Sequence, residues 1–171
     1  MRQPIWHRLD HLARQLFPFS LTLALLLASL VPLPLPGYAA VTPSFMVMAV
    51  YFWTLHRPDL MPPSAVFAIG LLQDLLIGGT LGISIIVLLI LSFATASQRR
   101  FLGGALFVTV WAGFVVNSAG AAILAWCLST LVAGAMFDPR PALFQYLLTV
   151  GLYPSLSWIL ARAQRAVLRS I

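Results

Sequence analysis

The sequence contains no lysine and no glutamate, and its 171 residues carry four acidic side chains, Asp10, Asp59, Asp74 and Asp138. That removes the many enzyme mechanisms that turn on a lysine or a glutamate. A single cysteine, Cys127, excludes an internal disulfide, and its apolar surroundings mark it as a small packing residue rather than a nucleophile. Charge of either sign is scarce: 8% of residues are charged against 61% hydrophobic, with a mean hydropathy of +0.97. A soluble domain of this size could not hide so much apolar surface in one core, whereas a bilayer accepts it. The sequence therefore reads as a single integral membrane domain over residues 1–171. All ten basic residues are arginines, giving a net charge of +6. They flank apolar runs instead of forming a basic face, so membrane lipid headgroups and topology account for them, and nucleic acid does not.

Residues 1–16 combine Arg2, Arg8 and Arg14 with Ile5, Leu9, Leu12 and Leu16 at helical spacing, which predicts a basic amphipathic segment on the membrane surface. The apolar run that follows resembles a signal peptide but is read as a retained first span, about 17–34, closed by Pro32, Pro34 and Pro36. Further spans are predicted at about 38–55, 63–77, 81–97, 104–135 and 142–160. The stretch from Phe101 to Met136 is ambiguous, because as one helix it would measure about 54 Å against a hydrocarbon core of about 30 Å. Arginine placement decides. With one span here and a cytoplasmic N-terminus, Arg2, Arg8, Arg14, Arg57, Arg99, Arg100, Arg162, Arg165 and Arg169 all lie inside and Arg140 alone lies outside. The expectation is an all-α polytopic bundle of six transmembrane helices with both termini cytoplasmic, the last helix kinked at Gly151 and Pro154.

Asp74 is the one ionisable residue deep in an apolar span. A charge at a span centre costs about 2.5–3.5 kcal/mol on insertion scales, so it must be paired, protonated or hydrated. It is either an ion, proton or ligand site or a hydrogen-bond acceptor that caps a neighbouring helix. Asn117 lies between Gly113 and Ala121, a small-residue stripe that lets helices approach while the amide bonds across. Asp74 and Asn117 together could line a midplane pocket of a small-molecule binding or transport subunit. Asp59 beside Arg57 and Pro58 reads as a loop cap or a docking point for a soluble partner. Enzyme templates fail one by one. His7 and His11 stand at i, i+4 without a third metal ligand, and neither a nucleotide loop nor a nucleophile elbow is present. No catalytic residue, metal or cofactor is expected.

From Arg57 to Leu91 the chain reads R-P-D-L-M-P-P and then G-L-L-Q-D-L-L-I-G-G-T-L-G before an apolar helix. This resembles the rod shape-determining protein MreD family of bacteria. The resemblance implies a non-catalytic inner-membrane scaffold subunit of the cell-elongation complex that builds lateral peptidoglycan. Its implied partners are MreC, the actin-like MreB, the glycosyltransferase RodA and a penicillin-binding transpeptidase. It also implies an architecture similar to the substrate-binding subunits of energy-coupling-factor transporters. The matching positions are Arg57, Pro58 and Asp59 in the loop, Asp74 in the third span, and Gly78, Gly79 and Gly82 in the turn.

Overall fold

The computed structural model describes residues 19–29, 42–78, 80–102 and 104–168, and these are helical apart from their connections. The basic segment 1–16, the proline turn 32–37, Gly79 and Arg169 lie outside the described residues. The helices are α1 (Phe19–Ser29), α2 (Phe45–His56), α3 (Pro63–Ile77), α4 (Ile83–Leu102), α5 (Phe107–Ala133) and α6 (Arg140–Leu168), with a 3-10 turn at Pro58–Leu60 between α2 and α3. Three of them are long and apolar enough to cross a membrane: α4, α5 and α6. The other three are apolar but shorter.

The third predicted span, 63–77, coincides with α3, because its ends are written in local chemistry. Pro62 is extended, Pro63 occupies the first helical position, and Gly78 closes the helix in the left-handed region at φ 69°. Helix α2 begins at Phe45, and the start of the predicted second span, near residue 38, lies outside the described residues. Pro43 has no N–H and restricts Thr42, so 42–44 are non-helical. Helix α4 continues past Ser97, where the predicted fourth span ends, to Leu102, since Arg99 and Arg100 are good helix formers and complement the dipole in a last turn. Phe107–Ala133 is one unbroken helix about 40 Å long. It is shorter than the predicted 104–135 because Gly104 (φ 92°) and Gly134 (φ 64°) bracket it.

The last helix outruns its predicted 142–160 at both ends. Asp138 Oδ1 accepts the Arg140 N–H at 3.0 Å and starts it, and the helix-forming run Ala161–Arg165 carries it on. Pro154 sits inside α6 without ending it. The proline withholds the N–H that would bond the Val150 carbonyl, and Trp111 Nε1 on α5 donates to that carbonyl over 3.4 Å.

Contacts fix the relative directions of the helices. Ser44 at the start of α2 meets Thr149, and Tyr51 further along meets Tyr153, so α2 and α6 run parallel. The short turn after Gly78 makes α3 and α4 antiparallel neighbours. The core centres on α2, whose residues Met46 to Leu55 are all buried. A helix that is apolar all round must be surrounded, and α4, α5 and α6 surround this one. Where they meet, Tyr153 stacks on Phe114 at 3.9 Å, Tyr51 packs edge-on at 5.2 Å from Phe114, and the Tyr51 hydroxyl donates to the Val110 carbonyl at 2.9 Å.

Candidate functional site

The residues singled out in the sequence fall into three places. Arg57, Pro58 and Asp59 lie at one end of α3, Asp74, Gly78 and Gly82 at the other, and Asn117 within α5. About 22 Å of helical rise separates the two ends of α3.

At the Asp74 end the motif is a machine for reversing the chain. Asp74 is 4% exposed. Its backbone carbonyl accepts the Gly78 N–H at 3.1 Å and closes α3, while its carboxylate reaches across the turn to the next helix. Oδ2 accepts the Gly82 N–H at 2.7 Å and Oδ1 accepts the Ser84 N–H at 3.2 Å. Both donors belong to the start of α4, where helix geometry leaves backbone N–H groups without internal partners. The carboxylate satisfies them and sits at the positive end of the α4 dipole. A buried carboxylate is thus solvated by backbone amides, and charge-assisted bonds of this kind are about twice as strong as neutral ones. Gly82 takes φ 101°, a conformation that delivers its N–H to Asp74, and its carbonyl accepts the Ile86 N–H at 3.0 Å. Gly79, the third glycine of the motif, lies outside the described residues.

A second clamp, unread in the sequence, holds the same helix pair. Gly70 packs so closely on α4 that a Cβ there would stand 2.8 Å from Ile85 Cα. The glycine was visible in the motif, but which backbone it touches is a long-range fact that hydropathy does not carry.

At the other end, the Arg57 N–H bonds the Trp53 carbonyl at 2.7 Å to finish α2, and the Met61 N–H bonds the Pro58 carbonyl at 3.1 Å to close the 3-10 turn. Met61 is buried and anchors the loop, whereas Asp59 in the first turn is exposed and makes no side-chain cap.

Asn117 is buried, and its Nδ2 donates to the Gly113 carbonyl at 2.8 Å and to Gln98 Oε1 at 2.9 Å. The amide therefore ties α5 to the far end of α4. Asp74 bonds Ser84 and Asn117 bonds Gln98, so about 21 Å of rise along α4 lies between their anchor points. They do not form the shared midplane pocket that the sequence allowed. Among the described residues, no group of three or more His, Cys, Asp or Glu could hold a metal ion.

Beyond its own geometry, the chain matches one family model, described as rod shape-determining protein MreD, over residues 10–162. No curated protein and no solved structure matches it.

Proposed function

Since the chain belongs to the rod shape-determining protein MreD family, we propose that it is a non-catalytic scaffold subunit of the cell-elongation complex in the bacterial inner membrane, where it binds MreC and helps organise lateral peptidoglycan synthesis. Family membership makes it a protein of rod-shape determination, and three long apolar helices fit a membrane protein. The finer assignments are part of the proposal: partnership with MreC, RodA, a penicillin-binding transpeptidase and MreB, and six spans with both ends cytoplasmic. An architecture similar to the substrate-binding subunits of energy-coupling-factor transporters is proposed with them.

The family match over nearly the whole chain carries the reading, and the geometry supports it. Asp74 and Asn117, the two polar side chains with most claim to a reacting role, are both engaged in joining helices. Such bonds rigidify a bundle and require no turnover. In this reading the Arg57-Pro58-Asp59 loop, exposed at Asp59 and half-buried at Arg57 and Pro58, and the arginine-bearing ends of α4 and α6 meet partners on the cytoplasmic side.

Cross-linking in the native membrane followed by purification should recover MreC, and depletion should round a rod-shaped cell. A cell that stays rod-shaped, together with a purification free of MreC, would refute the proposal. Topology is checked separately with a reporter fused after Met136, expected outside, and one fused after Ile171, expected inside.

A further inference from the structure

Between Arg140 and Arg162, residues 141–161 of α6 carry no charged side chain. Their rise of about 32 Å matches a hydrocarbon core of about 30 Å, which seats Gly151 at the bilayer midplane and Arg162 about 16 Å further along, just beyond one leaflet's depth of chains. Helical spacing then sorts the surface of the second half of the helix. Leu147, Gly151, Ser155, Trp158, Arg162 and Arg165 follow one another at intervals of three or four residues, so they share one stripe, and every one of them is exposed. The stripe is turned from the core, which takes Tyr153, Leu156 and Leu160 from the same stretch.

The chemistry along the stripe changes in one direction. Leu147 is apolar, and at Gly151 an added Cβ would meet nothing within 4 Å, so the missing side chain leaves an open dent in the helix surface. Trp158, 58% exposed, follows at the depth where indole rings collect at a membrane interface. The Arg162 guanidinium lies over the Trp158 ring, 5.3 Å from its centroid, and Arg165 Nε donates to the Ala161 carbonyl at 3.2 Å. Both contacts hold a guanidinium near the helix at headgroup level, and each engages only part of it: the ring meets one face, and the carbonyl takes one N–H of five. The remaining fork of donors matches a phosphate. No acidic residue of α6 competes for it.

We infer that this stripe is a binding site for an anionic phospholipid in the leaflet at the C-terminal end of α6. Arg162 and Arg165 hold its phosphate, Trp158 packs beside its ester region, and one acyl chain runs along the open surface at Ser155 and Gly151. The order of chemistry favours lipid as the occupant. Apolar for one leaflet's depth, then aromatic, then twice cationic is the order in which a helix leaving a bilayer meets chain, ester and phosphate. Two cations also select a lipid of net negative charge over a zwitterionic one, whose headgroup carries a cation of its own. The site requires α6 to cross the bilayer but is independent of MreC binding, so either can fail without the other.

The test is tryptophan quenching by phospholipids brominated in their acyl chains, with the full chain reconstituted in phosphatidylcholine vesicles; the quenching due to Trp158 is the part lost in Trp158→Phe. At equal low mole fraction, brominated phosphatidylglycerol should associate with the Trp158 site at least about tenfold more strongly than brominated phosphatidylcholine, since each arginine near the surface is worth about fivefold. Arg162→Gln and Arg165→Gln should each lower that preference about fivefold, and so should salt at about 1 M, which shortens the screening length to about 3 Å. Both positions are exposed, so the variants fold as the parent does. Arg99→Gln combined with Arg100→Gln, at the end of α4, should leave the preference unchanged. Equal quenching by the two lipids, or a preference that survives the paired Arg162→Gln and Arg165→Gln substitutions, would overturn the proposal. A preference that falls as far with the α4 pair would assign it to the diffuse field of the protein, and no quenching of Trp158 by either lipid would give the stripe to a protein neighbour; each of these results also overturns it.

Discussion

Replacing Asp74 with alanine tests the capping role most directly. The substitution leaves the Gly82 and Ser84 N–H groups without their acceptors at 2.7 and 3.2 Å, in a position where the carboxylate is 4% exposed. Each buried donor left unpaired costs about 1–3 kcal/mol, and loss of an N-cap costs about 0.5–2 kcal/mol. Against this, the variant no longer keeps a carboxylate away from water, a relief of up to about 3 kcal/mol at the centre of a bilayer and less near a helix end. The net loss is about 2–4 kcal/mol. For a chain of this length each kcal/mol moves the unfolding midpoint by about 2–4 °C, so a fall of roughly 5–15 °C is expected. Asp74→Asn keeps one acceptor oxygen but turns an NH₂ toward the second N–H, donor against donor, and should lie between the two. The assay is thermal unfolding of the detergent-solubilised protein, followed by tryptophan fluorescence. An Asp74→Ala protein that unfolds within about 1 °C of the parent would refute the capping argument. If that protein also failed to support rod shape, the carboxylate would belong to a ligand or partner instead.

Gly70→Ala should destabilise the α3–α4 pair by about 1–3 kcal/mol, because the new Cβ meets Ile85 backbone at 2.8 Å and the helices must part; the same unfolding assay reads it. Gly78→Ala meets no neighbour and should cost only about 1 kcal/mol, from the left-handed φ of 69°. A double-mutant cycle between Asn117→Ala and Gln98→Ala should give a coupling of about 0.6 kcal/mol, the ordinary worth of an interhelical bond in a membrane, and a coupling of zero would deny the contact. Asp59→Ala, at an exposed position, should leave unfolding within about 0.5 kcal/mol of the parent while reducing recovery of MreC in cross-linked membranes.

Features encoded by neighbours in sequence were legible. The limits of α3 could be read from Pro62, Pro63 and Gly78, since those residues act on the backbone they belong to. Span ends were less legible where apolar character and helicity part company. Pro43 lies within an apolar run, so hydropathy extends the second span over residues that Pro43 keeps out of the helix. Arg99 and Arg100 are charged, so hydropathy ends a span where the helix continues. Gln98, which bonds Asn117, and Ile85, which touches Gly70, were invisible for a different reason. Each contact joins two helices whose relative rotation no single segment specifies.

Asp74 joins these two kinds of legibility. As a lone charge in an apolar run it reads either as a site or as a cap on a neighbouring helix, because hydropathy scales weigh a carboxylate against hydrocarbon and it must find a partner. The start of α4 is not hydrocarbon: it offers free N–H groups and the positive end of a dipole, so the motif supplies the solvent that its own charge requires. The spacing carries this information locally. Gly78 follows Asp74 by one helical turn and ends α3, and Gly82 follows by as much again and presents the first free amide of α4. The family-like motif thus divides by physical role. Its Asp74–Gly82 half is engaged by the fold, whereas Asp59 is exposed at the opposite end of α3. Under the proposed function that exposed end is where recognition belongs, so substitutions at Asp74 and at Asp59 should separate loss of stability from loss of partner binding.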